Sequence, residues 1–153
     1  MIRFILLLAL GVTLFLAGCS PAFVEEPVDT APLELEGEWS VKMTQSGGIM
    51  GLMRSVEVSS DGNFTIDDER LARTVTGKLP NAEMQTLQKL VAESEFRIRG
   101  NQDSICADCF VYQVEIQSGG QTFTAQVDDV TMSDSELEPL VMFLRSVMDA
   151  NIR

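Results

Sequence analysis

Cys106-Ala107-Asp108-Cys109 has the spacing of a dithiol couple. A redox-active pair needs its first thiol acidified by a helix N-terminus or by nearby cations. Here Cys109 runs straight into an alternating apolar segment, and Asp103 and Asp108 are anionic neighbours that keep a thiol protonated. The expectation is therefore a local Cys106–Cys109 disulfide, which shapes its loop more than it stabilises the fold, because so short a ring removes little chain entropy. A zinc site would need two further ligands, and the chain contains no histidine to supply them. The absence of histidine also excludes Ser-His-Asp and Cys-His nucleophiles and the HExxH metal site. No catalytic residue, cofactor or metal is assigned, and an enzyme is not expected.

The third cysteine, Cys19, has a different meaning. Arg3 precedes an apolar run from Phe4 to Leu16, broken only by Gly11 and Thr13 and closing on Leu16-Ala17-Gly18-Cys19. This is an export signal, well short of the ~20 residues that span a bilayer. Its end resembles the bacterial lipobox, which implies that residues 1–18 are removed and that Cys19 carries a lipid. The chain is then expected in a bacterial cell envelope, lipid-anchored outside the cytoplasm, and in the outer membrane of a two-membrane cell because Ser20 follows. Export also makes an oxidised 106–109 pair the default. With 11 Lys+Arg against 23 Asp+Glu and a net charge of −12, the surface repels nucleic acid and anionic headgroups, so the lipid must hold the chain to the membrane.

Remaining polar clusters read as turns and solvated faces. Asp61-Gly62-Asn63 with Thr65 and Asp67 lacks the sixth-position glycine and twelfth-position glutamate of a calcium loop. Asp67-Asp68 and Asp128-Asp129 are adjacent, so their side chains diverge in a strand or turn. Ser46-Gly47-Gly48-Ile49-Met50-Gly51 lacks the Gly-Lys-Ser/Thr of a phosphate loop, and the sulfurs of Met50 and Met53 alone make no copper cluster. Its glycines permit positive φ and close approach of the backbone. Two readings stay open: Ile49, Met50 and Met53 form a protein-contacting tip, or the loop folds back over the core.

These groups must be positioned by the rest of the chain. Residues 19–38, with Pro21, Pro27 and Pro32 among acids, read as a disordered tether reaching on the order of 60 Å. From Trp39 the period becomes two: Val41 and Met43, then Leu52, Val56 and Val58 sharing a face with Arg54. A three-residue loop, 60–62, with Gly62 left-handed, sets Val58 against Phe64 and Val56 against Ile66. A fourth strand covers about 71–78. Leu79-Pro80-Asn81 opens a helix with Met84, Leu87, Leu90 and Val91 on one side, and 97–109 is a loop. A two-residue Gly119-Gly120 turn sets Ile116 against Phe123, Val114 against Ala125 and Tyr112 against Val127. A capping box, Ser133 to Glu136, starts a final helix with a stripe from Leu137 to Met148. The expected fold is α+β: an antiparallel sheet of about six strands with two helices on one face, in the order ββββαββα, as one domain over 39–153.

The run Ser46-Gly47-Gly48-Ile49-Met50-Gly51-Leu52-Met53-Arg54, the helix opening Leu79-Pro80-Asn81-Ala82-Glu83, and Phe110-Val111-Tyr112-Gln113-Val114 before an apolar C-terminal helix are similar to the emfourin group, over about residues 41–148. The resemblance implies a compact α+β fold and inhibition of thermolysin-like metallopeptidases, and it maps no inhibitory residue. Together with the missing catalytic groups, it makes a lipid-anchored binding module the expected function. The candidate contact residues are Gly47, Gly48, Ile49, Met50, Gly51, Met53 and Arg54, and the expected partners are a membrane, through Cys19, and an envelope or secreted metallopeptidase. The alternative is a thiol-active or purely structural envelope lipoprotein.

Overall fold

The computed structural model describes residues 33–94, 96 and 106–152. Cys19, the signal at 1–18 and the tether up to residue 32 lie outside the described residues, as does most of the 97–109 loop. The elements run β1 (Ser40–Gly47), β2 (Leu52–Ser59), β3 (Asn63–Asp68), β4 (Arg73–Lys78), α1 (Asn81–Glu93), β5 (Phe110–Ser118), β6 (Gln121–Asp128) and α2 (Glu138–Ile152). The strands form one sheet in the order β4-β3-β2-β1-β5-β6, with every neighbouring pair antiparallel.

The register follows from burying one face. Val58 pairs with Phe64, Val56 with Ile66, Ile116 with Phe123, Val114 with Ala125 and Tyr112 with Val127, the pairs that both predicted turn lengths require. Gly62 takes φ +84°, as the three-residue loop demands. Asp61 fixes that turn by accepting the Asn63 N–H at 3.0 Å and the Ser59 hydroxyl at 2.8 Å. The Asn63 N–H, more than any other contact, holds the Asp61 carboxyl below its usual range. Its oxygens brace the hairpin.

Beneath the helices lie Val41, Met43, Val56, Val58, Ile66, Tyr112, Val114 and Ile116, all fully buried. α1 adds Leu87 and Val91, and α2 adds Leu140, Val141, Leu144, Val147 and Met148. Both apolar stripes fall where helical spacing places them. At the edge pair, the Phe64 ring lies where a side chain on Gly77, its partner residue, would sit, so a larger residue here would have to displace that ring.

Two details differ from expectation. The Ser133–Glu136 capping box is not used. Instead the Asp128 carboxylate accepts the N–H groups of Val130 and Thr131 at 3.0 and 2.9 Å, and a 3-10 turn follows at Met132–Asp134. This delays α2 to Glu138, with the Ser135 Oγ accepting the Leu137 N–H at 3.1 Å. The end of the predicted tether also lies against the sheet: Leu33 and Leu35 pack on the core, and the Glu36 N–H donates to Ser118 Oγ at 2.9 Å.

Candidate contact surface

The β1–β2 loop rises from the centre of the sheet. Gly47, the last residue of β1, pairs with Leu52 on one side and Phe110 on the other. It has φ +98°, and a Cβ on it would collide with the Cys109 carbonyl oxygen. The Gly48 N–H donates to that same oxygen at 3.1 Å, and a Cβ on Gly48 would lie 2.7 Å from the Phe110 ring. The Gly51 N–H closes the loop onto the Gly48 carbonyl at 3.0 Å. Ile49 and Met50 do not fold back over the core. They are 89% and 67% exposed.

Cys106 and Cys109 form the expected disulfide, with their Cα atoms 5.4 Å apart. The bridge lies in a turn leading into β5 rather than at a helix N-terminus, and it holds the residue whose carbonyl braces the Gly-rich loop. The two motifs, more than fifty residues apart in the chain, are thus brought together by the β1–β5 pairing.

The other candidate residues divide between the two faces of β2. Met53 is 42% exposed. Arg54 turns under α2 instead, its side chain only 20% exposed and its Nη1 3.5 Å from Asp149 Oδ1. It belongs to a polar network that sequence reasoning missed. Arg145 Nε lies 3.8 Å from Asp149 Oδ2, and Arg145 Nη1 donates to the Tyr112 hydroxyl at 3.4 Å. That hydroxyl donates to Asp129 Oδ1 at 3.2 Å, while Asp129 Oδ2 accepts the Phe110 N–H at 2.9 Å. The chain of contacts runs from α2 to Phe110, the residue beneath Gly48. Its one sequence signal is Tyr112, the only tyrosine.

Burial raises the Tyr112 hydroxyl above its ordinary value of 10.0, with the Asp129 charge adding to the effect and Arg145 opposing it. A phenol whose folded pKa is raised contributes stability that is complete below the unfolded value and declines as pH rises toward the folded one. Urea denaturation between pH 8 and 11 should show stability falling above about pH 10. In Tyr112→Phe that fall should be shallower, from a lower neutral-pH starting point. Equal slopes in the two proteins would contradict the assignment.

Among the described residues, no group of three Cys, Asp or Glu side chains could hold a metal ion, and no helix is long and apolar enough to cross a membrane. The sequence model of the Emfourin family matches residues 68–145, the span from the end of β3 into α2. Comparison with curated proteins gives no match. The matched span omits β1, β2 and all of β3 but Asp68, yet these three strands lie between β4 and β5 in the sheet. They join its strands into one sheet and bring the Gly-rich loop into the same domain.

Proposed function

Because the chain belongs to the emfourin family, we propose that it is a binding module that inhibits a thermolysin-like metallopeptidase through the apolar tip of its β1–β2 loop. The observation that carries this reading is the exposure of Ile49 and Met50 on a loop whose base is bonded to Cys109 and packed on Phe110. A loop ordered before contact loses little conformational freedom on binding, so its apolar burial goes into affinity. Leu16-Ala17-Gly18-Cys19 supports a lipid on Cys19, which would hold the acidic domain at the surface of a bacterial envelope. Inhibition needs no group of this chain to react, in keeping with the absence of histidine.

Titrating the full chain against a thermolysin-like metallopeptidase tests the inhibitory role. Activity should fall to baseline by micromolar chain, and undiminished activity at that concentration would refute the reading. The mass of the membrane-extracted protein tests the anchor separately: a lipid adduct beginning at Cys19 is expected, and an unmodified Cys19 would remove it.

A further inference from the structure

The sheet has two ends, and its exposed apolar side chains gather at one of them. Ile49 and Met50 stand on the β1–β2 loop, Leu71 (59% exposed) on the β3–β4 turn, and Val130 (64%) just beyond β6. The opposite end, at turns 60–62 and 119–120, presents Asp61, Asn63 and glycines. That polar end is also where the N-terminal segment joins, through Glu36 and Ser118. The N-terminal attachment therefore leaves the apolar end uncovered.

The outer points are built onto the loop. The Glu69 N–H donates to the Met53 carbonyl at 3.1 Å, and Arg70 Nη1 lies 3.6 Å from Met50 Sδ, joining the β3–β4 turn to β2 and the loop. Leu71 is held outward by the buried Asp68, whose Oδ1 accepts its N–H at 2.9 Å, and the next residue, Ala72, takes φ +47°, a conformation alanine adopts only under constraint. On the other flank the Asp129 N–H donates to the Phe110 carbonyl at 3.1 Å, fixing Val130 beside the residue beneath Gly48.

With strands about 4.8 Å apart, the strand order places Leu71 about 10 Å to one side of the loop and Val130 about 12 Å to the other. We propose that Leu71 and Val130 are the outer contacts of one strip, centred on Ile49 and Met50, that lies along an elongated apolar groove of the target peptidase. The strip, about 20 Å long, is too extended for a single side-chain pocket. Exposed Glu69 and Asp108 lie about it together with Arg70, which sits on Met50, so its own charge is mixed, and it is the −12 of the whole chain that favours a groove with a neutral or basic rim. This inference rests on the β1–β2 loop being the inhibitory surface.

The test is the inhibition constant of the full chain carrying Leu71→Asp, Val130→Asp or both, read beside the thermal midpoint. Each single change should raise the constant about tenfold and the pair about a hundredfold. Midpoints should not move, because both side chains are exposed, and the milder Leu71→Ser should shift the constant in the same direction by less. Wild-type inhibition with both single variants unchanged would overturn the strip and leave the loop reading standing. A wild-type chain without inhibition would overturn the loop reading and the strip with it. A wild-type dimer that Leu71→Asp dissociates would make the strip a self-interface and also overturn the proposal.

Discussion

Gly47→Ala should lower the stability of the domain by about 2–5 kcal/mol. The left-handed backbone at φ +98° contributes about 1–2 kcal/mol of that for any L residue with a Cβ. The remainder is steric: the new methyl meets the Cys109 carbonyl oxygen, which belongs to backbone and cannot rotate aside, and overpacking of this kind typically costs about 1–3 kcal/mol. Because Gly47 pairs with both Leu52 and Phe110, relief means moving β1 or β5, both inner strands of the sheet. A drop on the order of 10 °C in the thermal midpoint follows from the size of the domain. Gly51→Ala is the control: its φ is +59°, but its Cβ would meet nothing within 4 Å, so only the backbone cost of about 1 kcal/mol applies. If the two variants melted together, the Gly47–Cys109 contact would not be constraining the loop.

Replacing both tip residues, Ile49→Asp with Met50→Asp, should weaken inhibition by about a hundredfold or more while leaving the fold intact. Burying one large aliphatic side chain contributes about 1.5–3 kcal/mol, and two carboxylates in an apolar groove would add a desolvation penalty to that loss. Neither side chain supports the core, since they are 89% and 67% exposed. Thermal and urea denaturation should therefore match the parent chain. Retained inhibition in this double variant would remove the loop from the interface, whatever the family does elsewhere.

Some of this was legible in the sequence because local rules and burial agree. The 60–62 loop has only one length that sets Val58 on Phe64, and the Gly119-Gly120 turn only one that sets Ile116 on Phe123, so the registers followed without a structure. The stripes of α1 and α2 followed from helical spacing. What was not legible depends on neighbours far apart in the chain. Ser133 and Glu136 satisfy a capping pattern, but Asp128 binds the N–H groups of Val130 and Thr131, Ser133 falls inside the 3-10 turn that follows, and the helix begins at Glu138. Leu71 reads as the start of the fourth strand, but β4 begins at Arg73, which leaves Leu71 in the turn whose Arg70 meets Met50. Arg54 shares a face with Val56 and Val58, as read, but only α2 explains why a charge is tolerated there, by supplying Asp149.

Amide hydrogen exchange of the full chain, with and without a saturating thermolysin-like metallopeptidase, tests the central claim most directly. The amides of residues 48–51 should exchange freely in the unbound chain, apart from Gly48 and Gly51, whose N–H groups are already bonded. On binding, Ile49 and Met50 should become protected while the polar turn at 119–120 stays unchanged. Protection confined to 119–120, or no change at 49 and 50 in a fully inhibited complex, would contradict the account.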